Sequence, residues 1–147
     1  FTQLDAALRG FDQDHGRGLV PLHHDCDGDH DVVLAVYGAH YSVSETTADP
    51  PTPSLQVRVV DGDGATAYGS TVTVEADGDR TTRRQRPRTD FLSQESRVIH
   101  IGLGDTERVD LMVTWPDGTE RTFEEIPADR RIRITPSGIE TVAKFSA

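Results

Sequence analysis

Val109-Asp110-Leu111-Met112-Val113-Thr114-Trp115-Pro116-Asp117-Gly118 decides the fold class of this chain. Val109, Leu111, Val113 and Trp115 recur at every second position, the period with which a β-strand turns alternate side chains to one face. Pro116-Asp117-Gly118 then ends the strand, with proline pre-set for the first central position of a turn and glycine after the aspartate. The same alternation is found upstream. Leu55, Val57 and Val59 point one way while Gln56 and Arg58 point the other, Val72, Val74 and Ala76 repeat the pattern, and Ile99, Ile101 and Leu103 form a further inward set. Asp61-Gly62-Asp63-Gly64 and Asp77-Gly78-Asp79 separate these strands in the manner of hairpins. Phe123, Ile126, Ile132 and Ile134 complete the expected core, which ends at Pro136-Ser137-Gly138. About six or seven short strands at this spacing predict an all-β fold, a small antiparallel β-sandwich or a partly open barrel.

Upstream, Val32-Val33-Leu34-Ala35-Val36-Tyr37 is a short apolar run bounded by Asp31 and Gly38, which reads as a buried strand that needs partners. Ser42 to Ser54 carries three prolines among serines and threonines and has no periodicity, so it is expected to be a linker or surface loop. The expected organisation is a loop-strand element at 1–41, a linker at 42–54, the main β domain at 55–140 and a tail at 141–147.

Charge narrows the function classes. The 147 residues carry 25 acidic and 15 basic side chains, a net charge of -10, and Lys144 is the single lysine. Such a field disfavours nucleic acid and anionic membrane and favours cations and hydration. Acid excess with almost no lysine also suits a protein working in high salt, where screening removes most self-repulsion. No stretch approaches the roughly 18 apolar residues of a membrane span, and Phe1 to Gly10 has no signal-peptide core, so any export signal is expected to lie upstream or to have been removed. Cys26 is the only cysteine, which excludes an internal disulfide.

Leu22-His23-His24-Asp25-Cys26-Asp27-Gly28-Asp29-His30-Asp31 is the stretch best suited to metal. Carboxylates at every second position of a tight glycine-containing loop can converge on one hard cation, and Ca²⁺ takes about six to eight oxygens. Asp25, Asp27 and Asp31 would contribute side chains, Asp29 its carbonyl, and His23 stands at the start of the set. A strand follows at once and no glutamate closes the loop, so it is not an EF-hand. His23, His24, Cys26 and His30 also invite a transition-metal reading, but adjacent histidines diverge on a strand.

Arg80, Arg83, Arg84, Arg86 and Arg88 form a basic cluster in an acidic chain. On a strand Arg84, Arg86 and Arg88 share a face whose guanidinium forks can grip carboxylates or sulfates, or pair with neighbouring Asp and Glu. Ser93 and Gln94 read as a polar corner that satisfies backbone groups between strands, and they join these arginines as candidate ligand contacts. Nucleophilic catalysis at Ser93 would need a base, and only His100 is near in sequence.

Gly16-Arg17-Gly18-Leu19-Val20, the DCDGDHD loop and Val32 to Gly38 together resemble an FG-GAP repeat, the calcium-loop blade of integrin-type propellers, with His23 where that family has the first aspartate. Ser93-Gln94, then His100-Ile101-Gly102-Leu103-Gly104, then Trp115-Pro116-Asp117-Gly118 resemble, in order, the motifs of the UnbV/ASPIC domain, over about Leu55 to Gly138. That order is similar to the cartilage acidic protein family and its prokaryotic relatives. The resemblance implies a non-catalytic extracellular or cell-surface module, calcium-binding and adhesive, with a protein or acidic glycan as partner. A lone blade would leave its sheet faces bare, so Val32 to Tyr37 is expected either to pack on the main β domain or to pair with another chain, giving a homo-oligomer through the N-terminal strand. The alternative from another class is a small metal-dependent hydrolase using the Asp/His-rich loop.

Overall fold

The computed structural model describes residues 16–22, 30–36, 41–45, 52–76, 78–87, 89–90, 93–94 and 96–145. Along them run β1 (Gly16–Leu22), β2 (Asp31–Val36), β3 (Tyr41–Ser44), β4 (Ser54–Val59), β5 (Thr71–Ala76), β6 (Asp79–Arg84), β7 (Thr89–Asp90), β8 (Ser93–Gln94), β9 (Ile99–Gly102), β10 (Arg108–Thr114), β11 (Glu120–Pro127), β12 (Arg130–Thr135) and β13 (Gly138–Lys144). No helix occurs among the described residues, and none is long and apolar enough to cross a membrane.

Two four-stranded sheets, ordered β11-β10-β5-β6 and β13-β12-β4-β9, form a small β-sandwich. Its core is set by alternation. Val109, Leu111 and Val113 of β10 are buried, as are Val72 and Val74 of β5, and they meet Leu55, Val57, Val59, Ile99, Ile101, Ile132 and Ile134 of the opposite sheet in one cluster. Leu103 and Trp115, just beyond β9 and β10, join it, while Phe123 and Ile126 pack against it half-buried. Each fully buried aliphatic side chain contributes about 1.5–3 kcal/mol relative to exposure.

Hairpin chemistry closes the strands where the sequence suggests. Between β10 and β11, Gly118 N–H donates to the Trp115 carbonyl at 3.0 Å and Trp115 N–H to the Thr119 carbonyl at 2.8 Å. Gly118 takes φ 86°, the left-handed region that a residue with a Cβ enters only at a cost. Asp61 to Ala65 repeats the arrangement, with Gly64 at φ 85° and the Asp61 carboxylate accepting from the N–H groups of Asp63 and Ala65.

Four sequence expectations need correction. The 61–64 turn does not pair β4 with β5, because the chain crosses there from one sheet to the other. The sandwich is not purely antiparallel: β12 runs parallel to β4, from Arg130 opposite Leu55 to Ile134 opposite Val59. The stretch expected as linker from Ser42 begins as β3, whose Tyr41 to Ser44 pair with Ala35 to Val32. The expected tail from 141 is the end of β13, which hydrogen-bonds to β12 as far as Lys144. In each case the strand forms because a neighbouring backbone offers its donors and acceptors, a partnership that side-chain period does not encode.

β1, β2 and β3 make a separate three-stranded antiparallel sheet. Both edges of β2, the strong strand of the sequence, are taken within the chain by β1 and β3, so its pairing does not require a second chain. β1 lies against the small β7–β8 hairpin, and the His30 ring lies 4.0 Å from that of His100 in β9, centroid to centroid.

Candidate functional site

The acidic loop connects β1 to β2, whose ends meet where Leu22 pairs with Asp31. His23, Asp25, Asp27 and Asp29 lie outside the described residues. Asp31 is fully buried at the base of the loop. A carboxylate removed from water is held by hydrogen-bond donors or by charge. Asp29's neighbour His30, which leads into β2, lies ring against ring with His100 of β9.

Ser93 and Gln94 form β8, whose backbone pairs with Thr89 and Asp90 of β7. Gln56 of β4, opposite His100 in the register, is buried and accepts a 2.8 Å hydrogen bond at Oε1 from Arg131 Nε.

The arginine cluster lies on and just beyond β6, an edge strand. Arg80, Thr82 and Arg84 stand opposite Glu75, Thr73 and Thr71 of β5, all on the face turned away from the core. Gln85 N–H donates to the Ser70 carbonyl and the Gln85 carbonyl accepts from Gly69, so the extended pairing continues and Arg86 shares the side of Arg84. Arg84 and Arg86 are exposed, and Arg88 lies outside the described residues. Among the described residues no carboxylate pairs with Arg80, Arg83, Arg84 or Arg86; the ion pairs there are Arg108–Glu125 at 3.9 Å and Arg133–Glu140 at 2.8 Å.

Gln85, between two of these arginines, was not singled out in the sequence. It is buried, accepts from Val59 N–H at 3.4 Å through Oε1 and donates to the Arg97 carbonyl at 3.0 Å through Nε2. It therefore ties the edge of one sheet to β4 of the other and to the bend at Arg97 before β9. Its signal is the single uncharged residue in the run Arg83-Arg84-Gln85-Arg86, at the inward parity.

A second depression, of about 310 Å³, opens where Ala76, Asp79 and Thr81 of the β5–β6 hairpin face Gly102, Leu103 and Gly104, so the Gly-Leu-Gly motif lines it. At the Trp-Pro-Asp-Gly turn the Thr119 N–H, 2.8 Å from Asp117 Oδ1, with the Thr119 hydroxyl behind it, holds the Asp117 carboxyl below its ordinary 3.8.

Comparison with known proteins follows this geometry. No curated protein matches the chain in sequence. Among solved structures it is similar to one from Bacteroides ovatus with a proposed role in cell adhesion, at 12% identity and a TM-score of 0.39. That likeness covers 88% of this chain and 61% of the other, so the chain spans less than two thirds of that protein's length. The sequence profile described as ASPIC and UnbV matches residues 61–141, from the Asp61 turn to the middle of β13. With more than half of its residues in that match, including the Ser-Gln, Gly-Leu-Gly and Trp-Pro-Asp-Gly segments, the chain belongs to the ASPIC and UnbV family.

Proposed function

We propose that the chain is a non-catalytic, extracellular interaction module that attaches to an acidic protein or glycan, with calcium held in the loop between β1 and β2. The observation that carries this reading is the β6 edge. Arg84 and Arg86 point off the sandwich without a carboxylate partner among the described residues, in a chain whose net charge is -10. Exposed arginines among so many carboxylates would pair within the chain if charge neutralisation were their only role. Unpaired guanidinium forks on a rigid edge are pre-organised for carboxylate or sulfate on a partner.

Calcium has a structural part in this reading. Asp25, Asp27 and Asp31 supply side-chain oxygens and Asp29 a carbonyl, and the bound ion offsets their mutual repulsion. The loop is covalently continuous with β2 and with His30, whose ring lies against that of His100, so an ion bound there would add to the contact between the N-terminal sheet and the sandwich.

The reading is tested by titrating poly-glutamate, an acidic stand-in for a protein surface, into the intact chain at rising KCl. Saturable binding that weakens with salt supports it, because contacts between charges are screened. Absence of binding at low salt removes the β6 edge as the attachment surface.

A further inference from the structure

The outer face of the β13-β12-β4-β9 sheet holds a second arginine site that neither the family motifs nor the β6 edge accounts for. A groove of about 410 Å³ is lined by Arg58 of β4, Arg131 and Arg133 of β12, Arg97, and the apolar walls Val98 and Val142. Four of the chain's 15 basic side chains thus converge on one depression of an acidic molecule.

Three features show the groove to be built rather than accidental. Arg58 and Arg133 are direct neighbours in the parallel β4–β12 register. Like charges placed side by side on adjacent strands destabilise a sheet unless something neutralises them. Two heads are also fixed: Arg58 Nη2 donates to Thr66 Oγ1 at 3.3 Å and Arg131 Nε to Gln56 Oε1 at 2.8 Å, while the backbone of Arg97 is held through its carbonyl by Gln85 Nε2 at 3.0 Å. Arg133 is paired with Glu140 at 2.8 Å, an exposed contact that a stronger anion displaces. Finally, Arg58 Nε is shielded from solvent and has no hydrogen-bond partner among the described residues. A buried donor of a charged group left without an acceptor is costly, and a small turn of the Arg58 head toward an oxyanion in the groove would relieve that cost.

We propose that this groove binds an acidic polysaccharide through its carboxylate or sulfate groups. Arg58, Arg131 and Arg133 stand on the interior strands β4 and β12, whose backbone groups are already paired on both sides, so an extended peptide cannot add as a strand at these arginines. The guanidinium heads rise instead from a sheet face, in a groove whose lining includes Val98 and Val142. That suits a chain whose rings lay their C–H faces on Val98 and Val142 while their anionic groups reach Arg58, Arg131 and Arg133.

The experiment uses the full chain and labelled oligosaccharides of polygalacturonate, which carries carboxylates, and of heparin, which adds sulfates, with uncharged dextran as control. Anisotropy should report binding of one or both acidic glycans and none of dextran, and which of the two binds more tightly assigns the anionic group. The Arg58→Gln/Arg133→Gln variant should bind about tenfold more weakly or worse. The Arg121→Ser variant, altered at an exposed position of β11 on the far edge of its sheet from β6 and outside the groove, should bind as the unmodified chain does. If the first variant fails to fold, Arg97→Ser, an exposed position, takes its place with a smaller loss expected. Equal binding of dextran, no binding of either acidic glycan, or poly-glutamate held in the groove more tightly than both would overturn the proposal. Loss of glycan binding in the Arg121→Ser variant alone would also overturn it, while leaving the module reading of the β6 edge in place.

Discussion

The indole Nε1 of Trp115 donates a 3.0 Å hydrogen bond to the carbonyl of Val60, 55 residues earlier in the chain, and both residues are buried. Trp115 sits one residue past β10 in one sheet and Val60 one residue past β4 in the other, so a single side chain fastens the ends of both layers. The Trp-Pro turn is therefore a structural fastening as well as a chain reversal.

Trp115→Phe keeps an aromatic ring but strands the Val60 carbonyl, which should cost about 1–3 kcal/mol. Trp115→Ala adds a cavity and should cost about 3–5 kcal/mol. Denaturant midpoints of the two variants decide the matter: equal losses would mean that the hydrogen bond contributes nothing beyond packing.

The Asp117 carboxyl is held low by the Thr119 N–H and hydroxyl, so the folded state binds the proton less readily than the unfolded chain does. Its contribution to stability is present above the unfolded value of 3.8 and is lost as the pH falls through the lower folded one. Asp117→Ala should therefore melt below the unmodified protein at about pH 7, and the gap should close as the pH falls well below 3.8. A gap that persists unchanged in acid would mean that the turn, and not the charge-assisted hydrogen bond, is what the substitution damages.

Calcium gives a third prediction. A ligand that binds only the folded state at a hundred times its Kd raises stability by about 2.7 kcal/mol. Asp27→Ala should lower the melting temperature in excess Ca²⁺ and leave it unchanged in chelator. Equal melting of the unmodified protein with and without Ca²⁺ would remove the metal from the account.

What the sequence made legible was side-chain parity. Leu55, Val57, Val59, Val109, Leu111 and Val113 are all buried on the face that period-two alternation assigns, and Trp115 is the core anchor that its place in the series suggests. Strand partners were not legible, because alternation tells which face is buried but not which backbone lies alongside. Hence the parallel β4–β12 pairing, which brings Arg58 beside Arg133 across 75 positions of chain, could not be foreseen, and the groove it creates was invisible. β3 was hidden for a different reason: Tyr41 and Val43 alternate for only four residues before the proline-rich stretch begins. The β6 arginines were legible as a cluster, whereas Gln85 among them was not, since its partners Val59 and Arg97 belong to the other sheet's side of the molecule.

The claim that the chain is an attachment module rests most directly on the β6 edge, and one comparison tests it. The affinity of poly-glutamate for the unmodified chain and for Arg84→Ser/Arg86→Ser is measured by titration at the same low salt, with melting temperatures to confirm that both are folded. Loss of two charge-assisted contacts, each about 1.5 kcal/mol or more, predicts affinity reduced by about a hundredfold. Equal affinities in two equally stable proteins would contradict the account and free these arginines from any role in attachment.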